Sequence, residues 1–295
     1  MIVPAVGFVY PDGKTVSFED VKKGKVDIIK MGMSLPTLLE MSKERDPNRK
    51  PSTTELLIGT CEAFLKRTED YYIDPQDRAF SLAGTMHHAR LEQHEDENLL
   101  LEKQLEEFDI TGIADLYDKE SKVLLDYKNT GSYKCAQLLG MKHQLVSDPS
   151  GARYKSSGKW GKKGSSKKVK QWYRDESSAD FGDWGWQLNW YRYLLNKAGY
   201  DVDSMYIQIT LRDGGLYVAR SRGLDKNIYL IEVPKYDDEV LEYKFLDARD
   251  KLVKALETDN LPQQCTEEQT WNGRKCESYC EVRHLCPYIN GSINE

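Results

Sequence analysis

Nowhere in its 295 residues does this chain hold an apolar run near the ~20 residues that a bilayer-spanning helix needs. No membrane role is expected. The opening MIVPAVGFVYPDGK lacks the basic stretch and long apolar core of a secretory leader, so the expected compartment is the cytoplasm. Positive charge is not in excess: 42 Lys and Arg stand against 48 Asp and Glu, a net charge of −6. Any grip on nucleic acid must then come from a local basic patch. No internal repeat is present, which excludes a solenoid or propeller array. Cysteine is sparse, and without a secretory signal the six present point to metal ligation over a disulfide framework. What remains is 31% charged and 39% hydrophobic, ordinary for a soluble intracellular protein of a length that buries a full core. One large α/β domain plus an appendage is expected.

The stretch GIADLYDKESKVLLDYK, Gly112 to Lys128, reads as two strands. Ile110 to Tyr117 is apolar-rich, Asp118 to Ser121 supplies turn chemistry, and Lys122 to Tyr127 resumes the aliphatic run. Side chains repeat every second residue along a strand, so Asp126 and Lys128 share a face and Tyr127 points the other way. With normal pairing Asp115 sits opposite that face. Two carboxylates so close are costly unless a divalent cation neutralises them. A hydroxide-generating metal beside a lysine is a device for attacking a phosphodiester. A solvated surface hairpin has the same spacing, so D-x(10)-D-x-K needs support from the rest of the chain.

Residues 1–50 are expected to form an N-terminal extension, with a small hairpin in GFVYPDGKTVSFEDV and a polar linker in KERDPNRKP. Ser52-Thr53-Thr54-Glu55 has the pattern of a capping box. It predicts a helix through Leu56, Leu57, Ala63, Phe64 and Leu65, ended by Tyr71-Tyr72-Ile73-Asp74-Pro75. A second helix is expected from about Ala79, carrying GTMHHARLEQ and running on through LLLEKQLEEF. Another is expected from Tyr133 to Val146, with Leu138, Leu139, Met141 and Leu145 buried. Residues 148–182 are rich in Gly, Ser and Lys, lack apolar periodicity and read as a long insertion. Trp184 to Ala198 predicts an aromatic helix. Strands are expected at Met205–Arg212, Leu216–Arg220 and Ile228–Val233. Asp237 to Glu257 reads as an amphipathic helix on Val240, Leu241, Phe245, Leu246, Leu252 and Leu256. The expected division is 1–50 as extension, 51–260 as core with the insertion, and 261–295 as a four-cysteine module.

His88 lies in Gly84-Thr85-Met86-His87-His88, on the helix before the hairpin. A lone helical histidine is usually a surface or capping residue, but beside carboxylates an imidazole is an acceptable ligand for Mn²⁺ or Mg²⁺. His87 is about 100° round the helix, so only one of the two can face an ion. Gly84 would let the helix pass close to neighbouring backbone. Gln187 and Tyr191, four apart, share one helix face.

Taken in order, G-x(3)-H, G-x-x-D, D-x-K and Q-x(3)-Y make the chain resemble the PD-(D/E)XK nuclease superfamily. The resemblance is to its RecB/AddB-like branch, which includes CRISPR-associated and phage-encoded iron–sulfur exonucleases. Ser52-Thr53-Thr54-Glu55-Leu56-Leu57, then Phe64-Leu65-Lys66, looks like that branch's opening helix, and the likeness runs from Ser52 to Tyr288. It implies a restriction-endonuclease-like core, a mixed central sheet flanked by helices. It also implies that His88, Asp115, Asp126 and the backbone carbonyl of Tyr127 hold Mg²⁺ or Mn²⁺. Asp115, Asp126, Lys128, Gln187 and Tyr191 would form the catalytic set. Lys128 would position or activate water and stabilise phosphate charge, while Gln187 and Tyr191 orient the DNA backbone or Lys128. The branch often has an acid directly after the motif histidine; here Ala89 stands there, with Glu92 one turn on as a candidate substitute.

The tail reads Cys265-x(10)-Cys276-x(3)-Cys280-x(5)-Cys286, flanked by Trp271, Tyr279, Pro287 and Tyr288. Four thiolates so close in sequence can close a tetrahedral Zn²⁺ site or hold an iron–sulfur cubane. The resemblance favours a [4Fe–4S] cluster. In the AddB-like pattern three ligands lie in such a tail and the fourth lies upstream, about where Cys61 stands. Cys61 and Cys265 compete for that place, and shorter loop closure favours Cys265. Cys135 is expected in the core. The insertion carries Arg153, Lys155, Lys159, Lys162, Lys163, Lys167, Lys168, Lys170 and Arg174, with Tyr154, Trp160, Trp172 and Tyr173 among them. Cations interspersed with aromatics suit phosphates and unpaired bases. Because the insertion separates the Lys128 strand from the Gln187 helix, it is expected to emerge beside the site.

The expected function is metal-dependent hydrolysis of DNA, exonucleolytic at single-stranded ends. The expected setting is recombination, repair or processing in a bacterial or phage-infected host cell, alongside a recombination or CRISPR-type protein partner. The competing expectation is a catalytically silent DNA-end-binding subunit of a helicase or integrase complex. Ala89 and the basic loop favour it; the intact His88, Asp115, Asp126 and Lys128 oppose it. An RNA-processing enzyme is the third.

Overall fold

The structure, a computed structural model, describes residues 5–43, 46, 49–94, 96–159, 161–289 and 291. The expected hairpin in the opening segment forms: β1 (Ala5–Val9) pairs antiparallel with β2 (Thr15–Ser17). Three short helices follow, α1 (Phe18–Lys22), α2 (Ile28–Met31) and α3 (Leu35–Met41). They start on Ser17, Asp27 and Ser34, whose side chains accept from the first-turn backbone N–H groups. Part of the linker KERDPNRKP lies outside the described residues.

Ser52 and Glu55 form the capping box, with each side chain accepting from the other's backbone N–H. The single helix expected there is two, α4 (Thr53–Leu57) and α5 (Thr60–Thr68). Gly59, at φ +106°, makes the break, and a Cβ there would lie 2.8 Å from Cys265 Sγ. The stretch after α5 is more than a helix stop. Tyr71–Ile73 forms β3, which pairs parallel with β1 and binds the opening segment to the main body.

α6 (Ala79–Leu91) begins as expected but does not run on. LLLEKQLEE becomes β4 (Leu99–Glu107), antiparallel to β5 (Ile110–Asp118) along its whole length. Leu, Glu, Lys and Gln are good helix formers, yet a strand at this place satisfies the backbone groups on one side of β5. β6 (Val123–Thr130) completes the hairpin read from the sequence.

α7 (Ser132–Leu138) is shorter than expected. The chain turns at Gly140, whose φ is +64°, into β7 (Met141–Ser147), and Leu145 is exposed rather than buried. β8 (Lys168–Arg174) pairs antiparallel with β7, so the insertion expected at 148–182 supplies the second strand of a two-stranded arm. α8 (Gly182–Lys197) brings the chain back to β9 (Ser204–Leu211), which lies parallel to β6. Residues 217–220 form a turn of helix, α9 (Tyr217–Arg220), where a strand was expected. The reason is that β10 (Ile228–Glu232) takes the free side of β9.

The main sheet is therefore mixed and five-stranded, in the order β10-β9-β6-β5-β4. α10 (Asp238–Thr258) buries Leu241, Phe245, Leu252 and Ala255, while Val240 stays exposed. Trp190 of α8 stacks on Phe245 and Tyr193, with ring centroids 4.4 Å and 5.1 Å away. The tail holds a short helix, α11 (Arg274–Ser278). Among the described residues no helix is long and apolar enough to cross a membrane.

Candidate functional site

Three adjacent strands bring three acids into one row. Leu101 faces Leu116 and Lys103 faces Ala114, so Glu102 of β4 lies opposite Asp115 of β5. Leu116 faces Leu125, so continuing that register puts Asp126 of β6 opposite Asp115. The ladder opens at this point, and the Tyr127 backbone N–H donates to Asp115 Oδ2 at 2.7 Å. α6 lays His88 over the row. Its Nδ1 is 3.3 Å from Glu102 Oε1 and 3.5 Å from Asp115 Oδ1, and its Nε2 is 3.2 Å from the Tyr127 carbonyl oxygen. One ligand atom each from His88, Glu102 and Asp115 lies within 4.8 Å of the other two.

The charges gathered here would suit a divalent cation. The Glu102 carboxylate, helped by Asp115, holds the His88 proton above the usual histidine range despite partial burial. Burial, then the Asp126 charge, push Asp115 up to about 7. A divalent ion would displace the His88 proton and pull Asp115 back to its ionised form. Asp126 is only 2% exposed, with Lys128 Nζ 3.0 Å from Oδ1 and 2.8 Å from Oδ2. The second contact lies off the hydrogen-bond direction, which leaves Oδ2 a buried acceptor without a hydrogen-bond partner. Lys128 also donates to Gln187 Oε1 at 3.4 Å, and Gln187 Nε2 donates to Tyr191 OH at 3.0 Å. A Cβ on Gly112 would lie 2.6 Å from Tyr191 Cε1, so the glycine of G-x-x-D is the space that lets α8 approach β5.

Glu102 is the site residue that sequence reasoning missed, because its segment was read as helix. The alternation of Leu101, Lys103 and Leu105 with Glu102, Gln104 and Glu106 is the strand period that marks it. Its φ of +46° in mid-strand is a second mark, visible only in the fold. Glu92 stands exposed at the end of α6, and neither it nor His87 joins the converging ligands. His87 instead sets its ring edge-on to Tyr127, with centroids 6.1 Å apart. The close backbone expected at Gly84 is not there: a Cβ would meet nothing within 4 Å.

Cys61, Cys265, Cys276, Cys280 and Cys286 line one cavity of about 30 Å³ between α5 and the tail. Cys61 shares thiol hydrogen bonds with Cys265 and Cys286. The bond from Cys61 pulls the Cys265 thiol down to about 6, and burial pushes Cys280 up to about 11. Among the described residues no three of these sulfurs lie within 4.8 Å of one another. Cys135 is fully buried in the core.

On the arm, Lys155, Lys159, Lys162, Lys163, Lys167, Lys168 and Lys170 are all exposed. Trp172 is turned inward against His143, with ring centroids 4.9 Å apart and its Nε1 enclosed without a partner. Trp160 lies outside the described residues. A cavity of about 430 Å³ opens elsewhere, between the opening segment, α4, α5 and the start of α6. Its cations are matched within the protein: Lys43 by Glu40, Arg49 and Arg67 by Glu55, Lys66 and Arg78 by Glu281. Size alone favours that cavity, but the converging side chains at His88 and the unpartnered Asp126 Oδ2 make the sheet opening the better candidate site.

Fold and site together define a mixed α/β protein with a candidate divalent-cation centre at the opening of its central hairpin. No protein-family model matches the chain, and no curated protein matches it in sequence.

Proposed function

We propose that the chain is a divalent-metal-dependent nuclease of the PD-(D/E)XK type, hydrolysing DNA phosphodiester bonds at single-stranded ends. The observation that carries this is the convergence of His88, Glu102 and Asp115 beside the Asp126–Lys128 pair with its unsatisfied Oδ2. His88, Glu102 and Asp115 would hold Mg²⁺ or Mn²⁺, with Asp126 and the Tyr127 carbonyl as the further oxygens on β6. When bound, the ion supplies Lewis-acid chemistry, acidifying a water and offsetting phosphate charge. Lys128 is pinned between Asp126 and Gln187, so its remaining N–H is aimed rather than free to wander. It donates to a phosphate oxygen and stabilises charge developing there. Tyr191 fixes Gln187, and through it Lys128. The exposed lysines of the arm add sequence-independent phosphate contacts.

In the same reading the tail thiols hold a [4Fe–4S] cluster that ties the chain's end to α5. Tetrahedral zinc, at about 2.3 Å per sulfur, is the alternative metal for the same thiols. A cubane would give each thiolate its own iron, and the resemblance of the chain to iron–sulfur nucleases is what favours it.

Labelled single- and double-stranded DNA incubated with Mn²⁺ tests the proposal, with Asp126→Ala and Lys128→Ala as controls. The expected result is metal-dependent cleavage that Asp126→Ala abolishes and Lys128→Ala slows severely. Binding without cleavage by the unsubstituted protein selects the end-binding subunit instead, a reading that Ala89 after His88 favours. Cleavage of RNA alone selects the third.

A further inference from the structure

The helix that carries His88 buries none of its thirteen residues, although it contains Phe80, Leu82, Ala83 and Met86. Phe80 is 63% exposed. Phe80, Gly84 and His88 stand at i, i+4 and i+8, so they form one stripe running back about 12 Å from the candidate metal centre. The middle of the stripe is bare, because a Cβ on Gly84 would meet open space.

Phe80 is not solitary. The Arg212 guanidinium lies over its ring, 3.7 Å from the centroid, so one face of the ring is covered and the exposure belongs to the rest. The Arg212 backbone N–H donates to the Thr130 carbonyl at 2.9 Å, which fixes this pair at the end of β6, two residues beyond Lys128. Three residues further on, the arrangement repeats. Tyr133 is 55% exposed, with the Arg222 guanidinium 5.8 Å from its ring centroid. Arg222 donates to Ser132 Oγ, and Ser132 is held in turn by Asp213, next to Arg212 in the chain. Two exposed aromatic rings, each backed by an arginine, are thus anchored to the ends of β6 and β9 just past the catalytic lysine.

We propose that this surface is a track for an unpaired polynucleotide strand, with bases stacking on Phe80 and Tyr133 and the backbone crossing over Gly84 toward His88. The inference rests on the nuclease reading and deepens it by naming the surface along which the single strand reaches the site. Exposed aromatic faces recognise unpaired bases, whose π surfaces are free, and not the stacked bases of a duplex. Guanidiniums behind the rings add cation–π polarisation and lie within reach of phosphates. An apolar peptide or second copy of this chain would use the rings but has no need of the arginines or the bare strip.

The test uses the full chain without added metal, so that binding is read apart from chemistry. Fluorescence anisotropy follows a labelled oligodeoxynucleotide without secondary structure, the same sequence as RNA, and the DNA as a duplex. Phe80→Ala and Tyr133→Ala are each expected to weaken single-strand binding about ten-fold and to leave duplex binding unchanged. Phe80→Trp is expected to restore it. Gly84→Leu puts its Cβ in open space and improves a helical position, so thermal stability should hold or rise while single-strand binding falls. The DNA and RNA arms identify which unpaired strand the track prefers. Single-strand binding that ignores both Gly84→Leu and Phe80→Ala would overturn the track, even in a chain that cleaves DNA with Mn²⁺. Binding that follows these variants in a chain that cleaves nothing would keep the track and end the nuclease reading alone.

Discussion

Glu102 combines two features that rarely coincide, a mid-strand position and a left-handed backbone at φ +46°. A non-glycine residue adopts that conformation at a cost of about 1 kcal/mol or more. The flanking Leu101 and Lys103 keep their register with β5, so the strain is confined to the one residue whose carboxylate meets His88. Glu102→Gly should therefore raise unfolding stability by about 1 kcal/mol in a denaturant titration. The same variant should lose Mn²⁺ affinity by calorimetry; unchanged affinity would remove Glu102 from the ligand set. For Lys128→Ala, kcat should fall by about 10²- to 10³-fold, the loss typical of a donor to developing charge. Gln187 acts through Lys128, so Gln187→Ala should cost about 10- to 100-fold in kcat with KM held. A rise in KM alone would show that Gln187 contacts substrate instead.

At the scale of elements, the start of α4 is held by charge as well as by its cap. Glu55 lies 2.6 Å from Arg67 and 3.0 Å from Arg49. Burial pushes Glu55 up, but the two guanidiniums outweigh it and hold the carboxyl below its ordinary 4.5. A folded-state value below the unfolded one stabilises the fold above the unfolded pKa, and that stability is lost as pH falls through the folded one. Unfolding midpoints should thus drop on acidification below about pH 4.5. Glu55→Gln should flatten that part of the profile. Glu55→Ala strands a buried Arg67 and should cost about 3–5 kcal/mol. β4 teaches a different lesson about elements. Its composition suits a helix, and only the neighbouring β5 makes it a strand. The same holds for 141–147, where β8 supplies the pairing that a local pattern cannot reveal.

For the molecule as a whole, the tail acts as a clasp. Lys275 reaches Glu62 at 2.5 Å and the Ile58 carbonyl at 3.1 Å, and Lys66 meets Glu281 at 3.1 Å. These contacts bring the tail cysteines onto α5 beside Cys61. Anaerobically purified protein should be brown, and Cys280→Ser should bleach it and lower the thermal midpoint. Cys135→Ser, in the core and away from the cavity, should keep the colour. Full colour in Cys61→Ser with loss in Cys265→Ser would give the fourth place to Cys265, and the opposite pattern would give it to Cys61. A colourless protein that carries zinc would overturn the cluster.

By itself the sequence determined the central hairpin, the capping box at Ser52, the aromatic helix α8 and the amphipathic α10. Each of these is written in residues close along the chain, as a period, a cap or a turn. It also put His88, Asp115, Asp126, Lys128, Gln187 and Tyr191 on the kinds of element where they are found. Only the tertiary structure decided that Glu102 joins them, that the tail closes on α5, and that Phe80 and Tyr133 stand exposed with arginines behind them. Those outcomes depend on strand pairing and packing between separate segments; even where a period is present, as around Glu102, it does not say which partner the segment meets.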